Sequence, residues 1–508
     1  MDIQLALLDL ISFFCFLSFV TLVIREWTAA TKTKTGRKLP PGPRKLPLIG
    51  NMHQLVGEKP HVALRDLAEK HGKDIMHLQL GQVSTLVVTS PDMAKEFLKT
   101  HDLTFANRPA FLAASIIFYD KADLFLCPYG DYWRQMRKVC MSELLSAKIV
   151  RTFSSIRYDE TCRLLERVRS ASGTPINVHD QFAQFTSSVV SRAAFGKVFS
   201  GTIELVHEID ELSRLAGGFC MADMFPSWKI LHSLSGDKTR MINGHHKADA
   251  VIDSIIKEHI RNLDSGKKGS GESGAEDMVD VLLRLKDSGT LPVPITDGNI
   301  KAIITDMFGA GTDTSTTTTL CALVEMVKKP EVLAKAQAEV RAAFQGKEML
   351  EENVVEELQY LDLVIKETLR LHPPGALVIR ECREETVVRG YTIAPKTKVL
   401  VNAWAMGRDP EYWDEPESFI PERFKLDSSI DIKGSQFQYL PFGAGRRICP
   451  GISFGMANVQ FPLAHMLNHF DWTVPAGITA EELKMTEMPG LALGVKNDIF
   501  LIATPRAT

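Results

Sequence analysis

The sequence predicts one large, mainly α-helical body with small β-sheets, carried behind a single N-terminal transmembrane helix. Three observations lead there. Apolar residues at helical spacing fill long segments such as 332–344 and 354–371, whereas alternating segments such as 84–89 and 386–393 are short. No internal repeat and no linker long enough to divide the chain follows Asn51, so 51–508 reads as one domain. At the other end, Leu, Ile, Val and Phe dominate residues 3–24, where Asp9 is the sole charge.

That apolar run comes first in the chain. About 22 residues rising 1.5 Å each reach roughly 33 Å, enough for a hydrocarbon core of about 30 Å. Met1-Asp2 lacks the basic start of a cleavable signal, so the run reads as a retained anchor. Arg25, Lys32, Lys34, Arg37, Lys38, Arg44 and Lys45 form a basic collar that keeps the body on the cytosolic side. Residues 25–50 also hold Leu39-Pro40-Pro41-Gly42-Pro43, followed by Pro47. Proline fixes φ and lacks an amide donor, so this segment is a semi-rigid hinge rather than helix or central strand. Further on, the Gly/Ser-rich stretch 265–275 separates helical patterns at 248–262 and 278–286 and reads as a surface loop.

The 59 Lys and Arg nearly balance 62 Asp and Glu, which excludes the basic surface of a nucleic-acid binder. The eight cysteines stand singly, with no CxxC pair and no zinc spacing, so the chain is neither a disulfide scaffold nor a zinc module. Cys449 differs from the rest by its context.

It lies in Phe442-Gly443-Ala444-Gly445-Arg446-Arg447-Ile448-Cys449-Pro450-Gly451, ahead of a helical pattern over 452–470. Glycines let the backbone turn tightly against a flat ligand and leave amide donors for the sulfur. The pattern predicts Cys449 at the helix N-cap, Pro450 at N1, and a thiolate held by the positive helix end. A thiolate as sole protein ligand of an open metal points to haem iron. The run resembles the haem-binding signature of the cytochrome P450 family, FxxGxRxCxG, at every fixed position. The resemblance implies the cytochrome P450 fold and haem b, with Cys449 as axial iron ligand and Phe442, Gly443 and Gly451 around it. It also implies a monooxygenase that uses O2 and electrons from NADPH.

Further motifs follow in the family's order. Ala310-Gly311-Thr312-Asp313-Thr314-Ser315, within the helical stretch 301–329, is similar to the acid–alcohol motif. The resemblance makes Asp313 and Thr314 the catalytic, proton-delivering pair and sets Ala310 against the haem. Nearby glycines and the threonine run 316–319 predict a mid-helix distortion. Glu367-Thr368-Leu369-Arg370 matches ExxR and Pro421-Glu422-Arg423-Phe424 the PERF-like segment, so Glu367, Arg370 and Arg423 resemble the family's buried structural triad. Haem propionates need cations, and by resemblance these sites are Trp133 and Arg137 in WxxxR, Arg380 and Arg447.

The hinge, Asp313-Thr314-Ser315 and residues 441–451 most resemble plant microsomal members acting on specialised metabolites. This implies a single-pass protein of the endoplasmic reticulum, a lipophilic substrate drawn from the bilayer, and NADPH–cytochrome P450 reductase and cytochrome b5 as electron donors. The chain has no GxGxxG nicotinamide fingerprint of its own. Phe225-Pro226-Ser227-Trp228, with Ile230 and Leu231, is expected to dip into the membrane. The pocket carried over comprises Leu112, Phe118, Ile303, Met307, Ala376, Leu377, Ile379, Leu491 and Ala492. Ile379 stands where plant relatives often carry proline. An apolar lining with no charge to grip a carboxylate or amine favours hydroxylation of a sesqui- or diterpenoid. The runner-up is the same chemistry on a flavonoid, phenolic or alkaloid. A reductase-independent haem-thiolate isomerase or dehydratase conflicts with the intact Asp313-Thr314 pair, and a non-catalytic haem sensor would need no such pair.

Overall fold

The structure, a computed structural model, describes Thr21 and residues 38–506 apart from positions 58, 200, 218, 229–235, 267, 268, 270–275 and 428. The expected anchor 3–24, Thr21 aside, lies outside the described residues, as do residues 25–37 of the hinge. Among the described residues no helix is long and apolar enough to cross a membrane.

The short alternating segments form small sheets. The largest contains β1 (Ile75–Leu80), β2 (Val83–Val88), β3 (Leu377–Glu381) and β4 (Lys398–Asn402), in the order β1-β2-β4-β3. β2 runs parallel to β4 and β3 antiparallel to it, pairing Ile379 with Leu400 and Arg380 with Val399. As neighbours on one strand, Ile379 and Arg380 face opposite sides of the sheet. The proline segment runs along β1: the Pro41 carbonyl accepts the His77 N–H at 2.7 Å. A Cβ on Gly42 would overlap the His77 carbonyl, so this close approach needs glycine.

Helices make up most of the rest. Those that build the site are α1 (Asp131–Val139), α2 (Val178–Phe195), α3 (Thr202–Leu215), α4 (Asp237–Asp264), α5 (Asp297–Lys328), α6 (Gln359–Leu371) and α7 (Ile452–His469). α5 packs chiefly against α2 and α7, and every residue from Ser315 to Val327 is buried, as befits a central helix. It starts before 301 because Thr296 and Asn299 form a reciprocal capping box, with bonds of 3.3 and 2.8 Å.

Three expectations need correction. The mid-helix distortion is absent: α5 is continuous, and the hydroxyls of Thr314, Thr316, Thr318 and Thr319 each donate to the carbonyl four residues back, at 2.6–2.9 Å. Gly309 and Gly311 instead admit close packing, since a Cβ on them would meet Ile209 at 3.0 Å and Val190 at 3.1 Å. The stretch 354–371 is two helices, Glu352–Val355 and α6. Glu339 causes the break, its carboxylate accepting the N–H groups of Tyr360 and Leu361 at 2.8 and 3.0 Å and so capping a fresh N-terminus. Finally, Phe225 is buried in the apolar cluster with Phe111 and Phe118 and stacks on Trp228, with centroids 5.0 Å apart, so its side chain is core rather than membrane contact. Ile230 and Leu231 lie outside the described residues.

Candidate active site

The cysteine loop turns on two left-handed glycines, Gly443 at φ 70° and Gly445 at φ 71°. A Cβ on Gly445 would overlap the Leu98 carbonyl oxygen, so the loop can lie against that segment only with glycine there. The turn closes with the Cys449 N–H donating to the Phe442 carbonyl at 3.0 Å. α7 starts at Ile452 with Gly451 as N-cap, so Cys449 precedes the cap rather than forming it. The added residues let the Gly451 N–H reach Sγ at 3.4 Å. The thiol pKa is raised, against expectation, because burial outweighs the Gly451 N–H and the Arg137 guanidinium. A stable thiolate here calls for a bound cation.

Around this loop gather more arginines than carboxylates. Arg447 donates from Nε, Nη1 and Nη2 to the carbonyls of Ala106, Leu124 and Cys127 at 2.8, 3.2 and 2.5 Å, and its guanidinium lies 4.3 Å from the Trp133 ring centre. Trp133 Nε1 donates to the same Leu124 carbonyl at 3.1 Å. Arg380 donates to Ala444 at 3.1 Å and to Ile379 at 2.9 Å. The Ile379 carbonyl also accepts from Arg108, a residue the sequence reading missed. The Nε groups of Arg108 and Arg380 are buried without a hydrogen-bond partner among the described residues. Burial, then the neighbouring guanidinium groups, pulls Arg108 well down and Arg380 down to about 9. Burial pulls Arg447 down to about 10 and lowers Arg137 too. Of the nearby carboxylates, Asp102 pairs with the exposed Arg446 at 3.3 Å. This surplus of buried cations suits an anionic ligand.

Along α5, Ala310 stands exposed within a largely buried helix. The Thr314 hydroxyl donates to the Ala310 carbonyl at 2.6 Å, leaving its lone pairs to accept. Burial, followed by the Asp210 carboxylate of α3, pushes the Asp313 carboxyl up to about 7 against the pull of Arg214. Glu367 and Arg370 of α6 are fully buried and joined by two 2.8 Å bonds, with Arg423 Nε 3.0 Å from Glu367. Arg370 also donates to Gly407, Pro416 and Ser418 carbonyls at 2.6, 2.6 and 3.0 Å.

A cavity of about 230 Å³ opens between β3 and the ends of α3 and α4, lined by the expected Ala376, Leu377, Ile379 and Leu491. Leu112 and Phe118 share an apolar cluster with Ile379, Leu377 and Leu491 behind this wall. Ile303, Met307 and Ala492 do not line it. Ile303 is fully buried and Met307 packs on the same core, because about 10 Å back along α5 from Ala310 that face has passed beneath other helices. Ala492 is displaced from the wall by its neighbours Leu491 and Leu493. The wall is also less uniformly apolar than expected, since it includes His61, Arg214 and Asp237. Two of these are committed elsewhere: Arg214 to Asp210 and Glu211 at 3.0 and 2.9 Å, His61 to Glu487 at 3.1 Å.

The family model described as Cytochrome P450 matches residues 40–502. The chain belongs to the cytochrome P450 family. It is 57% identical over 498 residues to premnaspirodiene oxygenase of Hyoscyamus muticus, covering 98% of each chain. It is 54% identical to 5-epiaristolochene 1,3-dihydroxylase of Nicotiana tabacum, over 98% of each chain. A zebra fish cytochrome P450 solved with abiraterone shares the fold at TM-score 0.74 and 21% identity, covering 89% of this chain and all of that one. As a cytochrome P450 monooxygenase the protein works with haem, O2 and electrons from a reductase. The residues fit that group: a half-buried thiol, an exposed alanine on α5, and surplus guanidinium charge whose two orphaned Nε–H groups suit propionates.

Proposed function

We propose that this cytochrome P450 is a membrane-anchored enzyme that hydroxylates a sesqui- or diterpenoid. The cavity carries the reading: its wall is mainly apolar, with Asp237 as its carboxylate, and its Arg214 and His61 are held by Asp210, Glu211 and Glu487, which leaves shape as the chief means of holding substrate. The names of the relatives above, and of a germacrene A hydroxylase from Saussurea costus at 49% identity, point the same way. Reconstitution with reductase, NADPH and O2 against a panel of apolar metabolites tests it. O2-dependent hydroxylation of terpenoids is expected, and oxidation of flavonoids or alkaloids alone would overturn it.

In this reading residues 3–24 anchor the enzyme in the endoplasmic reticulum, 25–50 form the hinge, and 51–508 the cytosol-facing domain that receives electrons from the reductase and from cytochrome b5. Haem supplies the iron centre that activates oxygen. Cys449 would hold its iron, with Phe442, Gly443 and Gly451 shaping the loop and Ala310 leaving room for the group. Trp133, Arg137, Arg380, Arg447 and Arg108 meet the propionates, while Leu112 and Phe118 back the substrate wall. Asp313, held near neutrality at working pH, supplies protons, and Thr314 accepts and orients them. Glu367, Arg370 and Arg423 hold the core and touch no reacting atom.

A further inference from the structure

Residues 119–127 join the substrate side of the protein to the arginine cluster. Three successive non-glycine residues there, Tyr119, Asp120 and Lys121, are left-handed, with φ of 47°, 55° and 67°. Such a turn does not hold itself and needs external anchors. The Tyr119 hydroxyl donates to Asp249 of α4 at 2.7 Å, and Tyr132 of α1 donates to the Ala122 carbonyl at 2.5 Å. The third anchor comes from α5: Asp306 Oδ2 accepts the buried Leu124 N–H at 2.6 Å. The carbonyl of that same Leu124 receives Trp133 Nε1 and Arg447 Nη1, and the Cys127 carbonyl receives Arg447 Nη2.

We propose that Asp306 is a positioning residue for haem binding, which through the Leu124 backbone holds Trp133 and Arg447 in place to meet the propionates. The inference rests on reading Trp133 and Arg447 as propionate contacts. Asp306 lies seven residues before Asp313 on α5, so one helix serves both the distal face and the rim of the site. Its carboxyl is pushed well above the usual carboxylate range by burial and then by Asp123, and the contact it makes, an oxygen accepting the Leu124 N–H, is one that asparagine can replace.

The test is the rate at which purified holoenzyme gives up haem to excess apomyoglobin, read with the haem reduction potential. Asp306→Leu leaves the Leu124 N–H buried and unpaired, and a roughly tenfold faster transfer with a more negative potential is expected. Asp306→Asn keeps an acceptor and should stay within about twofold of the parent on both measures. If Asp306→Leu does not accumulate, Asp306→Ser, too short to reach Leu124, takes its place. In a background carrying both Arg447→Leu and Trp133→Phe, which removes the two groups that the Leu124 carbonyl holds, loss of the Asp306 acceptor should add little. Additive effects in that background, or equal damage from Asn and Leu, would overturn the proposal. A normal haem-transfer rate in Arg447→Leu alone would overturn the propionate reading and this inference with it, whereas a fast rate there beside a normal one in Asp306→Leu defeats this inference only.

Discussion

Two arginine clusters in this protein use the same side chain to opposite ends. Around Glu367, the guanidinium groups of Arg370 and Arg423 meet a carboxylate and a ring of carbonyls, with all bonds to Glu367 between 2.8 and 3.0 Å. Around the cysteine loop, Arg108, Arg380 and Arg447 hydrogen-bond carbonyls and no carboxylate among the described residues, and two Nε–H groups are left over. A buried cluster whose guanidinium groups share a carboxylate of the protein's own holds structure. One whose guanidinium groups hydrogen-bond no carboxylate is arranged for a ligand that brings the missing charge. The contrast separates scaffold from cofactor site without reference to any motif.

The largest break comes from the thiol between them. Cys449→Ala should abolish turnover and the thiolate-type ferrous–carbon monoxide band, leaving both arginine clusters intact by thermal melting of the apoprotein. Next, Glu367→Gln strips the first cluster of its anion and leaves Arg370 buried, at a cost on the order of 3–5 kcal/mol in chemical denaturation, with or without haem. Arg380→Leu should do the reverse. Removing one repelling cation leaves apoprotein stability unchanged or higher, while haem binding weakens by about 1.5–3 kcal/mol for the lost charged hydrogen bonds. Equal destabilisation of apo and holo forms by Arg380→Leu would sink the distinction.

Much of this was legible in the sequence, because ligand, acid–alcohol pair and Glu-Arg pair are local patterns whose spacing is itself chemistry. What stayed hidden is long-range. Arg108 has no periodic partner and is held by the Phe125 ring and by the Ile379 carbonyl, far along the chain. The break before α6 depends on Glu339 from another helix, and Phe225 turned inward because Trp228 and the cluster around Phe118 enclose it. The Cys449 pKa failed for a related reason: a helix end lowers it, but burial, which no local pattern reports, raises it more.

Asp313 gives a smaller and pH-dependent effect. Its folded pKa of about 7 exceeds the ordinary value of about 4, so between these the native state binds a proton that the unfolded chain does not. The sign follows: this group's contribution to stability falls as pH rises from about 4 through about 7. Asp313→Asn should flatten that slope in denaturation midpoints and lower kcat on the order of 100-fold with KM little changed.

The smallest expected effect sits where the two faces of one strand meet. The Ile379 carbonyl serves Arg108 and Arg380, while its side chain, 8% exposed, forms cavity wall. A side-chain substitution alters only the wall, since every residue keeps the carbonyl. Ile379→Val removes one methylene, worth about 0.8 kcal/mol of apolar contact, or roughly a fourfold change in the ratio of products hydroxylated at neighbouring carbons. Haem content, potential and transfer rate should remain those of the parent. Product ratios that hold constant while haem retention falls would mean that the strand's side chain, and not only its backbone, belongs to the cofactor side.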